Sequence, residues 1–65
     1  MVVIKRGIIR EGEYKGWRVE VDFDESDTGG YYIYIIKSPT EGYDLWCKDM
    51  PLVNGELEEF DVKWE

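Results

Sequence analysis

Carboxylates are the side chains of this 65-residue chain that could do chemistry, since it has fifteen of them and no histidine. They concentrate in two clusters, Asp22, Asp24, Glu25 and Asp27 in the first and Glu56, Glu58, Glu59 and Asp61 in the second. Paired carboxylates can act as general acid and base, but one of them then needs a cleft that raises its pKa. A chain this short leaves no room for a deep cleft, so we expect a solvated acidic surface.

Reactive groups other than carboxylates are scarce. Without histidine, Ser-His and Cys-His nucleophile pairs are excluded. Cys47 is the single cysteine, so it completes neither a zinc site nor a disulfide within the chain, and its alternation with apolar residues indicates a buried small hydrophobe. The loop from Asp22 has oxygen ligands at the first positions of a calcium loop, but Asp27 replaces the glycine at position six and Ile33 the glutamate at position twelve. At most a weak, incidental divalent site remains, and we predict a protein that is not an enzyme, with no metal and no cofactor.

Net charge indicates the class of partner. The formal charge of −7 repels nucleic acid and anionic membranes and attracts basic proteins from a distance. The first ten residues are the exception, because they contain Lys5, Arg6 and Arg10 and no acid. We expect this basic first strand to pair beside an acidic strand rather than to form an anion-binding arm.

The elements that position these groups follow a period of two. Residues 17–23 predict an amphipathic strand whose inward side chains are Trp17, Val19, Val21 and Phe23. Residues 31–36 are apolar on both faces, which predicts a central strand or one whose second face meets something else. Residues 43–47 predict another strand, and residues 2–9 predict a first strand with a bulge or bend at Gly7.

Two segments near the C-terminus are less regular. The Asn54-Gly55 pair predicts a type I′ hairpin that pairs residues 52–53 with residues 56–57. Residues 60–64 alternate as a strand, with a short helix as the alternative. The predicted fold is therefore all-β: a small antiparallel twisted sheet or open barrel of five to six strands, forming a single acidic domain over residues 1–65.

Cellular location follows from what the chain lacks. Residues 1–4 run directly into charge without a signal-peptide pattern, and no apolar run approaches the length of a membrane-spanning helix. One unpaired cysteine fits a reducing compartment. We therefore expect a cytoplasmic protein with no membrane partner.

Several short motifs from Gly16 onward share one resemblance. They are Gly16-Trp17, Val19-Glu20-Val21, Trp46-Cys47 followed by Asp49, and then Gly55, Leu57, Phe60 and Trp64. Together they resemble a small immunity-protein family of bacterial polymorphic toxin systems. The resemblance implies a non-enzymatic protein that binds and neutralises a toxin, often a nuclease.

The leading functional hypothesis is an acidic inhibitor that blocks a basic surface of a partner protein. That partner would be a nuclease or another nucleic-acid-handling enzyme, either a toxin met by an immunity protein or a host-defence enzyme met by a phage-encoded inhibitor. Nucleic acid itself is not an expected partner. Acidic side chains would steer association and aromatic side chains would anchor it. The candidate residues are Asp24, Glu25, Asp27, Glu56, Glu58, Glu59 and Asp61 for steering, and Tyr32, Tyr34 and Trp46 for anchoring.

Two other classes of function remain open. One is a small SH3-like or Tudor-like module that binds a cationic peptide or a sugar through aromatic side chains. The other is a self-associating structural protein, a homodimer for example, whose tyrosine face meets a second copy. The tyrosines of residues 31–34 are either core or interface under these hypotheses.

Overall fold

Residues 2–65 fold into one antiparallel sheet with one helix packed on it. The computed structural model describes residues 2–65, and Met1, the first residue of the predicted domain 1–65, lies outside the described residues. The elements in chain order are β1 Val2–Ile9, β2 Arg18–Phe23, β3 Tyr31–Ser38, β4 Glu41–Cys47, α1 Met50–Leu57 and β5 Val62–Trp64. The strand order is β4-β3-β2-β1-β5, and β4 and β5 form the edges. This open sheet of five strands confirms the predicted all-β fold, and the predicted C-terminal strand is β5.

The core lies between α1 and one face of the sheet. Its buried apolar side chains are Ile9, Val19, Val21, Ile33, Ile35, Cys47, Val53 and Leu57. Val53 and Leu57 come from α1, and the others come from alternate positions of the strands, as a period of two requires. Cys47 is buried at 4% exposure, as predicted, and burial raises the pKa of its thiol, so the thiol is protonated at neutral pH.

The prediction of a hairpin at residues 52–57 is wrong, because residues 50–57 form α1. The Asp49 side chain begins the helix, since its Oδ1 accepts a hydrogen bond from the backbone N–H of Leu52 at 3.1 Å. Pro51 lies in the first turn, where its fixed φ suits a helix and its missing N–H costs nothing. Asp49 and Pro51 therefore favour the start of a helix. This local preference competes with the preference of residues 54–55 for a turn.

Burial completes the case for the helix. Val53 is fully buried and Leu57 is 7% exposed, and a spacing of four residues places both on one helical face. A hairpin turning at residues 54–55 would instead alternate these side chains between two faces of a ribbon. The core therefore decides between two local conformations that the sequence allows.

The basic first strand pairs beside an acidic strand, as predicted. Arg6 lies directly opposite Glu20 in the antiparallel β1–β2 pair, and its Nε is 3.3 Å from Glu20 Oε1. Beyond the end of β1, Arg10 Nη2 is 2.8 Å from Asp61 Oδ1, and the Arg10 backbone N–H donates to the Asp61 carbonyl at 2.7 Å. Both basic residues therefore neutralise acids locally.

Gly7 has a different role from the one predicted. The irregular step in β1 falls between Val3 and Lys5, not at Gly7, which keeps regular pairing with both neighbouring strands. Its reason is space: a Cβ on Gly7 would lie 2.6 Å from the Lys63 carbonyl oxygen and 2.6 Å from Val62 Cγ1. Glycine here lets the three-residue strand β5 approach β1 closely.

Gly7→Ala is expected to destabilise the protein by about 1–3 kcal/mol, because the added methyl group must push β5 away from β1. Gly55→Ala is the matched control, since a Cβ there meets no atom of residues 2–65 within 4 Å. Alanine in a helix interior is favoured over glycine, so the control is expected to stabilise by about 0.5–1 kcal/mol. Urea denaturation of both variants measures the two changes, and equal effects would contradict the close contact at Gly7.

Candidate partner-binding surface

One face of the sheet is free of α1, and we call it the open face. Cross-strand pairing and alternation place twelve side-chain positions of β1 to β4 on it. They form three rows across the strands: Val3, Asp22, Tyr32 and Trp46; then Arg6, Glu20, Tyr34 and Asp44; then Ile8, Arg18, Ile36 and Gly42. The open face thus combines aromatic and aliphatic side chains with both signs of charge.

Aromatic side chains are the main apolar feature of the open face. The rings of Tyr32 and Tyr34 stack with centroids 6.0 Å apart and an angle of 18° between their planes. Trp46 lies directly opposite Tyr32 on β4 and is 50% exposed. The tyrosine run is therefore divided by alternation: Tyr31, Ile33 and Ile35 face the core, while Tyr32 and Tyr34 remain half-buried on the open face.

Trp46 also ties the loop between β2 and β3 to the open face. Its indole Nε1–H donates to Thr28 Oγ1 at 3.0 Å, and a Cβ on Gly30 would lie 2.5 Å from the indole ring. The Thr28 hydroxyl also accepts from the Gly30 N–H at 3.1 Å and lies 3.3 Å from Asp24 Oδ2, to which it donates. This hydrogen-bonded chain runs from Asp24, which is buried at 6% exposure, to the exposed tryptophan.

The first acidic cluster therefore contains two kinds of residue. Asp24 is used inside its loop, where its carboxylate accepts from the Thr28 hydroxyl and the Thr28 N–H. Glu25 and Asp27 are exposed on the same loop. Because the loop is tied to Trp46, these two charges are held beside the aromatic side chains of the open face.

Most of the second acidic cluster lies away from the open face, toward the opposite end of the sheet. The β2–β3 loop follows Phe23, whose neighbour across the sheet is Tyr31, paired in turn with Cys47 at the end of β4. Asp61 bonds instead to Arg10, just beyond the other end of β1. Glu59 lies beside the β1–β2 connection at that end, and Glu58 is the C-cap of α1. Glu56 lies inside α1, close enough for its charge to help raise the pKa of the Cys47 thiol. The predicted site thus divides into two, and Glu25, Asp27, Tyr32, Tyr34 and Trp46 share one end and face.

Asp22 is a residue of this surface that sequence reasoning did not select as a binding residue. It is 6% exposed, and its Oδ1 has no hydrogen-bond partner among residues 2–65. Burial, followed by the neighbouring carboxylate of Glu20, raises the pKa of Asp22 to about 6, while Arg6 opposes the shift. Alternation placed Asp22 on this face, but nothing in the sequence indicated that the face would bury it.

A shallow hollow of about 550 Å³ lies where β3 turns into β4. Tyr34, Ile36, Glu41, Gly42 and Asp44 are among its lining residues. Burial first, and then the charges of Asp22 and Asp44, raise the pKa of the Tyr34 hydroxyl. That hydroxyl is therefore protonated at neutral pH and can donate a hydrogen bond toward the open face.

A second group of aromatic side chains surrounds Tyr14. The centroid of the Tyr14 ring lies 4.9 Å from that of Trp17, 6.1 Å from that of Tyr43 and 5.7 Å from that of Phe60. Each pair of rings packs edge to face. An aromatic cage for a cationic ligand needs rings around an empty centre. Here the ring of Tyr14 occupies the centre, so this group packs as part of the structure.

Comparison of the chain with protein-family models, curated proteins and solved structures finds no match. Within residues 2–65, no helix has the length and apolar character needed to cross a membrane. The same residues contain no group of three or more Cys, Asp or Glu side chains arranged to hold a metal ion.

Proposed function

We propose that this protein is a non-enzymatic inhibitor that binds a basic surface of a partner protein through its open face and blocks that surface. The partner is a nuclease or another nucleic-acid-handling enzyme, whose substrate cleft must itself be basic. Occupying that cleft excludes its nucleic acid substrate without any chemistry by the inhibitor. The resemblance to immunity proteins fits this mechanism, and so does a phage-encoded inhibitor of a host-defence enzyme.

The exposed and fixed position of Trp46 carries this proposal. A tryptophan that is 50% exposed leaves a large apolar area in water, and such side chains dominate the energy of protein interfaces. Its hydrogen bond to Thr28 holds the ring in one orientation, so little side-chain entropy is lost when a partner covers it. Trp46 thus has the properties of an interface anchor.

The acidic side chains around Trp46 favour a partner whose surface is positively charged. Glu25 and Asp27 are exposed on the loop that Trp46 holds, and Asp44 is exposed one row away on β4. Acids at the rim of an apolar anchor steer a basic partner and raise its association rate. The second acidic cluster, most of which lies toward the far end of the sheet, adds to long-range attraction through the net charge of −7.

The unpaired Asp22 oxygen supports the same function. A buried acceptor without a donor costs free energy, and the carboxylate adds negative potential beneath the open face, which favours a basic partner. We place this binding in the cytoplasm, where a single thiol stays reduced. Self-association is less favoured, because it would bring together two chains that each carry −7.

Trp46→Ala is expected to weaken partner binding at least tenfold, whereas Leu52→Ala is expected to leave it unchanged. The two residues match in exposure, at 50% and 47%, but Leu52 lies on α1, away from the open face. Each immobilised variant captures partners from a lysate of the source organism at low and then high salt, and mass spectrometry identifies what is retained. The retained enzyme is then purified and assayed for inhibition by each variant.

The two expected signatures are elution of a basic enzyme by salt and its inhibition by the wild type and Leu52→Ala but not by Trp46→Ala. Recovery of this protein alone contradicts the proposal for any partner present in the lysate. Equal inhibition by Trp46→Ala also contradicts it, because the open face would then not be the binding surface.

A further inference from the structure

We propose that β4 binds an extended segment of the basic partner as an additional antiparallel strand, with a lysine or arginine of that segment beside Asp44. The inference rests on the proposed function, because it identifies the element that docks the partner on the open face. Strand addition of this kind takes its affinity from main-chain hydrogen bonds and its specificity from alternate side chains. Three features of β4 support it: an unpaired edge, a central charge and a hollow.

The edge is the first feature. β4 and β5 are the two edges of the sheet, but β5 has three residues and β4 has seven. An edge strand leaves alternate backbone N–H and C=O groups without sheet partners, so it is a template for another strand. Residues 41–44 of β4 are all exposed, and β4 is therefore the longer and more open of the two edges.

Asp44 is the second feature, because it sets which strand can pair. It is the central residue of Glu41–Cys47, so two copies of β4 paired about that centre would place Asp44 opposite its own copy. Like charges directly opposite each other destabilise an antiparallel pair, and opposite charges stabilise it. One carboxylate therefore disfavours a second copy of this chain and favours a basic strand, which is how partner choice is usually achieved.

Gly42 is the third feature, because it leaves room beside the edge. A Cβ at Gly42 would lie 2.6 Å from the Ile35 carbonyl oxygen, so the β3–β4 hairpin requires glycine there. The hollow of about 550 Å³ that Gly42 helps to line also contacts Tyr34 and Ile36. A large side chain of an added strand, placed opposite Gly42, would cover this apolar wall. The next residue of that strand on the same face would then lie opposite Asp44.

These features specify a pattern for the bound segment. Alternate residues on the open face of the added strand lie opposite Trp46, Asp44 and Gly42 in turn. They read, from the N-terminus of the segment, as apolar, then basic, then large and aromatic, each separated by one residue. The residues between them point to the other face of the sheet and carry little specificity.

The test uses the blocked peptide Thr-Val-Thr-Arg-Thr-Phe-Thr and the same peptide with glutamate in place of arginine. Each is titrated into isotope-labelled protein, and amide chemical shifts report both affinity and location. We expect shifts centred on β4 and a preference of about three- to tenfold for the arginine peptide. Asp44→Lys is expected to reverse that preference, and Glu11→Lys, which makes the same charge change in the β1–β2 turn, is expected to keep it.

Each other outcome overturns strand addition at β4. Shifts confined to residues 24–30, or an unreversed preference in Asp44→Lys, would mean general attraction between charges. Concentration-dependent shifts of β4 without peptide would mean that a second copy pairs there, and absence of shifts at millimolar peptide would mean that the edge is closed. If Trp46→Ala abolishes enzyme capture while Asp44→Lys leaves it intact, the proposed function stands and strand addition is wrong.

Discussion

Leu57→Ala is expected to destabilise the protein by about 2–5 kcal/mol, the usual range for removing a buried leucine. Leu57 is 7% exposed in the core, whereas Leu52 of the same helix is 47% exposed. The same substitution at Leu52 is expected to cost less than about 0.5 kcal/mol, because little packing is lost at an exposed position. In a domain this small, the core supplies only about 3–5 kcal/mol of net stability, so Leu57→Ala should be largely unfolded.

This pair of variants also tests the helix itself. In a two-residue hairpin through residues 54–55, Leu52 and Leu57 would lie directly opposite each other on one face of the ribbon. Their burial would then be similar, and so would the cost of truncating either side chain. Chemical denaturation followed by circular dichroism measures both costs, and equal values would contradict α1. Leu57→Met, which preserves most of the volume, keeps the comparison measurable if Leu57→Ala does not fold, with an expected cost below about 1.5 kcal/mol.

Alternation made most of the sheet predictable. Val19 and Val21 alternate with the polar residues Arg18, Glu20 and Asp22, and such a strand buries one face in almost any antiparallel sheet. The pairing of Arg6 with Glu20 follows from the same local logic, because a basic first strand next to an acidic second strand neutralises both. These predictions needed only neighbours in sequence or a short connection between strands.

The helix was not predictable in the same way, because two local signals compete there. Residues 54–55 favour a tight turn, while Asp49 and Pro51 favour the start of a helix. What decides is the burial of Val53 and Leu57 against strands that are distant in sequence. Tertiary burial outweighs local preference whenever both conformations are sterically allowed.

The candidate site was predictable in its residue types but not in its arrangement. Trp46, Tyr32 and Tyr34 were chosen as candidate anchors, and the structure places all three on the open face, Trp46 exposed and the tyrosines half-buried; their role in binding stays a prediction. The hydrogen bond from Trp46 to Thr28 joins residues eighteen positions apart, and no periodicity indicates it. The relative position of the two acidic clusters was not predictable either. It depends on the end of the sheet at which each segment lies, and the order and direction of the strands determine that end.

Asp22→Asn is expected to stabilise the protein at pH 7 by about 1–3 kcal/mol. The carboxylate is buried with an unpaired Oδ1 among residues 2–65, and burial together with Glu20 raises its pKa to about 6. Each unit of pKa shift corresponds to about 1.4 kcal/mol, so the charged form is disfavoured in the folded state at neutral pH. Asparagine has nearly the same shape, removes that charge, and adds a donor for Glu20.

The contribution of Asp22 to the stability of the wild type depends on pH. Because the folded pKa of Asp22 lies above the unfolded value of 3.8, the folded state binds the proton more tightly. The resulting stabilisation is fully present below about pH 4 and is lost as the pH rises through about 6. Within residues 2–65, the charged groups that act on Asp22 are Glu20 on its own strand and Arg6 on β1, and Tyr34 on β3 is titratable but neutral over this range.

Urea denaturation of the wild type and Asp22→Asn between pH 4 and pH 7 measures the difference directly. Carboxylates distant from Asp22 contribute equally to both proteins, so subtraction leaves the effect of Asp22 together with its neighbour Glu20. The difference is expected to grow from about pH 4 to about pH 6 and then to level off. Asp27→Asn removes an exposed charge from the same acidic cluster and is expected to shift stability by less than about 0.5 kcal/mol. A wild type as stable as Asp22→Asn at pH 7 would mean that a donor reaches Asp22. A confirmed difference would mean that the open face retains a carboxylate at a cost in stability, as functional surfaces commonly do.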